Sequence, residues 1–398
     1  MIFTNGRLIF PDGIRDRLEL AVEHGKIANV RRETGAHGEE VVDLAGNYLA
    51  PGFVDLHVHG AVGRDTMQAT PEAFRAICDY HASGGSTSLL LTTASAPLEA
   101  TPKGFASPDY FGVVDVLNAV RQYRSSVRQI AGVHVEGPFI AKAKKGAQRE
   151  EFICEATPES VATLLEHVDV IKRITLAPEV SGALDAIEHF SARGISVSGG
   201  HSDAWEEEAR AGFDRGMRSV THTFNCMSSA RRRGVHRAAG LLEFALSEPE
   251  INCELIADGH HVLPTLMKTL YRAKGAHGIS LVTDATAGAG LADGSHFSLY
   301  GNDCVVEHGV CLLADRSVLA GSASRMIDLV RTMVRDVDVP LYEAVAMATL
   351  NPANAVGLKS KARLEAGADG DLVVLSPDLN VLKTFAAGTL IYEMTKLE

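Results

Sequence analysis

The chain has 398 residues, 46% hydrophobic and 22% charged, with 37 glycines and a formal charge of −12. That balance describes a packed globular protein with many tight turns, long enough for one large domain and a smaller one. It excludes nucleic acid and anionic membrane surfaces as principal partners, while an anionic small molecule needs only a local basic pocket.

Residues 1–50 read as short strands, with Leu18–Val22 and Lys26–Val30 flanking a His24-Gly25 turn in a hairpin. The opening MIFTNGRLIFPDG has no basic segment followed by an apolar core, so no secretion signal is expected. From residue 51 apolar strands alternate with amphipathic helices. Eight strands are expected: Gly52–His57, Thr87–Thr92, Gln129–Glu136, Lys172–Pro178, Ile195–Gly199, Ser219–His222, Ile251–Asp258 and Ile279–Asp284. Thr70-Pro71 supplies a cap and first-turn proline for a helix over Glu72–Ser83. Ser202-Asp203, with Glu206 three residues beyond Asp203, suggests a capping box before Trp205–Ala211. Further helices are expected over Met326–Arg335 and Tyr342–Leu350, and strands return at Asp371–Leu375, Val381–Phe385 and Thr389–Tyr392. The fold predicted is α/β, a (β/α)8 TIM-like barrel over 51–355, with a small β-sandwich built from both termini, 1–50 and 356–398. No apolar stretch approaches the roughly 20 residues of a membrane span. Six cysteines without C-x-x-C spacing read as reduced thiols in a cytoplasmic protein.

Reactive residues of such barrels gather at the C-terminal ends of strands. There the chain places His57 and His59, Glu136, His201, His222 and Asp284, drawn from five different strands. His57 and His59 are two apart on one strand and so face the same way. Imidazoles and carboxylates together suit zinc, iron, cobalt or manganese. His81 and His134 fit structural or supporting roles, and the run Arg231-Arg232-Arg233 fits a solvated charged loop.

The segments HVHG, VEGPF, GGHSDA, THTFNCM, ADGHHV, LVTDATA, LAGS and MATLNPA occur in the order found in N-acetylglucosamine-6-phosphate deacetylases of the amidohydrolase superfamily, which the chain resembles over nearly its whole length. The resemblance implies that Glu136, His201 and His222 hold a main divalent ion. It also implies that His57 and His59, bridged by Glu136, can hold a second, and that Asp284 is the catalytic aspartate. It further implies a substrate pocket formed by Asn225, Cys226, His261, Leu319, Ala320 and Gly321, and a homodimer in which Arg237 reaches the sugar phosphate of a partner subunit.

Two departures stand out. Gln148 occupies the place after KKG where the family carries a carbonyl-polarising histidine; glutamine can donate a hydrogen bond but carries no charge. Ala238-Ala239 replace the family's Glu-Pro beside the arginine run. The expected substrate is an amino-sugar phosphate, N-acetylglucosamine 6-phosphate first. The galactosamine 6-phosphate analogue, an unphosphorylated N-acyl sugar, or a sugar-phosphate binder without catalysis are the other readings.

Overall fold

A computed structural model describes residues 1–35, 40–99 and 111–395. Residues 36–39, 100–110 and 396–398, which fall within the expected domain ranges, lie outside the described residues. Eight strands build the centre: β1 (Phe53–Val58), β2 (Ser86–Thr92), β3 (Ile130–Glu136), β4 (Ile171–Leu176), β5 (Ser196–Gly199), β6 (Met217–Val220), β7 (Asn252–Leu255) and β8 (Ile279–Leu281). They lie side by side in chain order and every pairing is parallel. β1 and β2 are buried at every position, as strands covered on both faces are, although polar Asp55, His57, Ser86, Thr87, Ser88 and Thr92 stand among their apolar residues.

The first and last strands meet at their C-terminal ends. Asp284 N donates to His57 O at 2.9 Å and His59 N to Ala285 O at 2.8 Å. The buried Asp55 carboxylate accepts from Thr283 Oγ1 at 2.6 Å, and burial pushes its pKa up to about 7 against those hydrogen bonds. All eight expected strands are present. Ile251–Asp258 and Ile279–Asp284 shorten to β7 and β8 because the chain beyond them turns out of the sheet, Asp284 with φ 49°.

Helix starts follow their capping chemistry. Thr70 Oγ1 accepts from Ala73 N at 3.2 Å and opens Pro71–Ala82. The box expected at Asp203 is displaced. The helix spans Glu206–Asp214, capped by Glu208 accepting from Trp205 N at 2.8 Å, while Asp203 Oδ1 accepts instead from Arg231 Nη1 at 2.5 Å. The helix expected over Tyr342–Leu350 is two, Leu341–Ala348 and Leu350–Ala355, broken where Thr349 leaves helical geometry at φ −131°, ψ −86°. Between β8 and the helix Met326–Arg335 lies a meander that the pattern did not separate: His296–Leu299, Asn302–Glu307, Val310–Leu313 and Leu319–Ser322.

The termini share sheets. Leu372–Leu375 pairs antiparallel with Tyr48–Pro51, joining both ends of the chain in a six-stranded sheet. A four-stranded sheet faces it, and Phe3, Leu20, Leu49, Leu372 and Phe385 belong to the apolar cluster they share. Its hairpin, Leu18–Glu23 with Lys26–Arg32, turns at His24 (φ 50°) and Gly25 (φ 77°), both left-handed as the tightest hairpin turn demands. Among the described residues no helix is long and apolar enough to cross a membrane.

Candidate active site

Six side chains from β1, β3 and the exits of β5, β6 and β8 converge at the barrel mouth. Glu136 is the hub. Its Oε1 lies 3.2 Å from His57 Nε2 and 3.3 Å from both His201 Nε2 and His222 Nε2, and its Oε2 lies 3.3 Å from His59 Nε2. Asp284 Oδ1 stands 3.4 Å from His57 Nε2 and from His59 Nε2. Sharp turns at the strand exits aim three of these groups inward. His201, His222 and Asp284 have φ of 46°, 30° and 49°, a left-handed backbone that residues other than glycine rarely adopt and that clusters at functional sites.

The donor set fits a cation. His201 Nδ1 is 2.7 Å from Lys144 O and His222 Nδ1 is 3.2 Å from Asn225 O. Carbonyls only accept, so both Nδ1 atoms carry the proton and the Nε2 lone pairs face each other at 3.1 Å. His57 Nδ1 likewise faces the Glu254 carboxylate, and its Nε2 meets His59 Nε2 at 3.1 Å. Lone pairs crowded together beside a carboxylate repel unless protons or a metal ion lie between them. Among the described residues two such groups exist, His57–His59–Glu136 and Glu136–His201–His222, each with ligand atoms within 4.8 Å of one another.

Electrostatics tell the same story without an ion. Burial works against charge on His57, yet Glu136 and Asp284 hold its protonated form well above the ordinary imidazole range. His59, opposed by burial but bonded to Asp284 and Glu136, is raised to about 9. Burial would raise the Glu136 and Asp284 carboxyls; the imidazoles, His57 foremost, pull both below their usual values. His81 and His134 behave differently. Burial lowers His81 to about 4, and His134, also pushed well down by burial, bonds Thr175 Oγ1 at 2.8 Å. Both are neutral supports, as their sequence positions suggested.

Above the donors opens a cavity of about 230 Å³, which limits the ligand to a small molecule. Asn225, Cys226, His261, Leu319 and Gly321 line it, whereas Ala320 is fully buried on its strand and does not. Gly321 permits close packing: at φ 75°, a Cβ there would lie 2.3 Å from Thr286 Cγ2. Gly146 of the KKG segment, at φ 56°, would set a Cβ 2.7 Å from Cys226 Sγ. His261 is aimed by Asp258, whose Oδ2 lies 2.7 Å from its Nδ1 and, despite burial, raises its pKa.

Gln148 reaches the cavity wall, but its amide is already committed. Nε2 donates to Glu136 Oε2 at 2.6 Å and Oε1 accepts from Ser95 N at 2.8 Å. It holds the hub carboxylate in place. Arg237 lies away from the cavity of its own chain, exposed on the hairpin formed by Arg231–Arg233 and His236–Ala238. The arginine run is solvated as expected at Arg232 and Arg233, but it is a hairpin strand rather than a loop. Arg231 stacks 4.1 Å over Trp205 and binds Asp203, while Arg233 pairs with Glu207 at 2.6 Å.

Sequence reasoning missed Leu299, Tyr300 and Val318, which the meander delivers to the cavity, and the buried charges Asp258, Glu254 and Arg173. No local signal marked the last two: Arg173 stands beside Lys172 in Ile171–Leu176, and Glu254 shares the short Asn252–Leu255 with Asn252.

The amidohydrolase family model matches residues 48–391. The chain is 31% identical to an N-acetylglucosamine-6-phosphate deacetylase of Vibrio furnissii, over 95% of this chain and 92% of the relative. It is 31% identical to an N-acetylgalactosamine-6-phosphate deacetylase of Escherichia coli O157:H7, over 96% of this chain and 97% of that one. The solved structure of N-acetylglucosamine-6-phosphate deacetylase from Pasteurella multocida matches it with a TM-score of 0.89 at 30% identity, covering 98% of both chains.

Proposed function

The chain belongs to the amidohydrolase family and, within it, to the N-acetylglucosamine-6-phosphate deacetylases, and from that premise we propose how its residues remove the acetyl group of N-acetylglucosamine 6-phosphate to give glucosamine 6-phosphate and acetate. The observation carrying this reading is the convergence of four imidazoles and two carboxylates at one mouth of the barrel.

Glu136, His201 and His222 would hold one divalent ion, and His57 and His59 together with Glu136 would hold another; zinc heads the candidates, with iron, cobalt and manganese next. When bound, the metal supplies Lewis acidity to the amide carbonyl and to the attacking water. Asp284 does the proton work. Its carboxyl is held ionised by the neighbouring imidazoles, so it takes a proton from water and returns it to the departing amine nitrogen. Asp258 keeps His261 protonated at Nδ1, which presents the rest of that ring to the substrate. Gln148 fixes Glu136 rather than polarising the substrate.

The described residues lining the cavity include no lysine or arginine, so charge for a phosphate dianion has to arrive from elsewhere. The exposed Arg237 hairpin of a second copy is the source proposed, its guanidinium fork matching phosphate oxygens. This makes the working unit a homodimer. A cytoplasmic location fits the six cysteines, all of them free.

The galactosamine epimer is the second reading, favoured by the 31% identity to a deacetylase of that sugar. The test is acetate release by metal-reconstituted protein from both N-acetylated sugar 6-phosphates and their unphosphorylated forms, with wild type and Arg237→Ala. We expect turnover of N-acetylglucosamine 6-phosphate first, and a raised KM in the variant. Equal rates on plain and phosphorylated sugar would remove the phosphate contact, and no release with any metal would remove the activity.

A further inference from the structure

Beneath the six donors the barrel interior is charged. Arg173 on β4 and Glu254 on β7 are both fully buried, with Arg173 Nε 2.9 Å from Glu254 Oε1. The guanidinium is anchored on three hydroxyls from two strands, β5 and β6. Nη1 donates to Ser196 Oγ at 3.1 Å and Ser219 Oγ at 3.4 Å, and Nη2 to Ser198 Oγ at 3.0 Å. Glu254 Oε2 points the other way, accepting from His222 N at 3.2 Å and lying 3.4 Å from His57 Nδ1.

Burying two ions carries a desolvation penalty that their attraction offsets only with good geometry, and apolar side chains would fill the same space at less cost. Stability alone is therefore a weak reason for the pair. The four imidazoles point to a better one. Nδ1 of His201 and of His222 faces a backbone carbonyl, and Nδ1 of His59 has no hydrogen-bond partner among the described residues. His57 alone has a carboxylate behind it. A carboxylate in that position fixes the tautomer and strengthens the ring as a ligand.

We propose that Glu254, anchored by Arg173, is a positioning residue that locks His57 as the Nδ1–H tautomer and so sets how tightly an ion is held between His57, His59 and Glu136. The ion between Glu136, His201 and His222 depends on it far less, because only the backbone N–H of His222 touches Glu254 and the ring is aimed by Asn225. Glutamine at 254 removes the charge. With its amide NH2 toward His57 Nδ1, it also favours the tautomer whose Nε2–H points at the ion and blocks ligation.

This inference rests on the proposed two-ion centre. The experiment loads full-length protein with Zn²⁺ or Co²⁺, titrates it with chelator and measures metal per chain. Wild type should release its ions in two steps. In Glu254→Gln the looser step should shift to about 10–100-fold weaker affinity, with the tighter step shifting by less than about threefold. The double variant Arg173→Met/Glu254→Gln leaves no unpaired buried charge, guards against misfolding, and should show the same selective loss. In wild type, 15N shifts of His57 should report a protonated Nδ1, a readout that needs no variant at all. Variants that hold both ions as tightly as wild type, equal weakening of both steps, a single ion in wild type, or an unprotonated His57 Nδ1 each overturn the role of Glu254. A wild-type chain that retains no ion refutes the metal centre instead.

Discussion

Replacing Asp284 by asparagine tests the chemistry most directly. The two side chains have nearly the same shape, so the change leaves the turn at φ 49° and the packing in place and removes the carboxylate charge and, with it, the ability to accept a proton. Asp284 Oδ1 stands 3.4 Å from the Nε2 of both His57 and His59, and these imidazoles hold its carboxyl below the usual range despite burial. It is thus ionised at neutral pH and ready as a base. A well-placed general acid–base contributes about 10²–10⁴ in rate, equivalent to about 3–5.5 kcal/mol of barrel-mouth stabilisation of the transition state. Acetate release from N-acetylglucosamine 6-phosphate should fall by that factor in kcat, with KM changed by less than about threefold. Metal content measured on the same preparation should keep the ion at Glu136, His201 and His222, a group that does not include Asp284. A variant with full metal and kcat within about fivefold of wild type would refute the assignment of proton transfer to Asp284.

The other predictions concern the hub and its protons. His59 has a folded pKa of about 9 in the absence of metal, above the ordinary 6.5. Its contribution to stability is therefore complete below pH 6.5 and disappears as pH rises through 9. Melting of chelator-stripped protein should show falling stability across that window, whereas metal affinity should rise with pH as the ion displaces the proton; opposite slopes would contradict the arrangement. Gln148→Leu removes the amide donor of Glu136 Oε2, leaving it only His59 Nε2 at 3.3 Å, and takes the acceptor from Ser95 N. Leaving buried polar groups unpaired costs about 1–3 kcal/mol each, so calorimetry should find a destabilised protein that also holds metal less well. Unchanged stability and metal content would return Gln148 to the substrate side.

The site was legible to the extent that it depends on local geometry. Residues two apart on a strand share a face, so His57 and His59 were paired from the text alone, and strand ends nominated Glu136, His201, His222 and Asp284. Contacts across the barrel were not legible. Glu254 reads as an ordinary residue of a short strand until β7 and β4 face each other and set it against Arg173. Gln148 reads as a substrate contact until the KKG segment folds over and its amide is taken by Glu136 and Ser95. Arg231 reads as a solvated charge until the hairpin folds it onto Trp205 and Asp203.

By itself the amino-acid order determined the eight β/α units, the His24-Gly25 hairpin and the set of groups able to bind a metal, because periodicity, turn chemistry and ligand type act over a few residues. Tertiary structure alone decided which carboxylate stands behind which imidazole, which residues of the meander wall the cavity, and that Arg237 points away from its own site. Those outcomes follow from strand register and barrel closure, which bring together residues more than a hundred positions apart, and no local pattern encodes them.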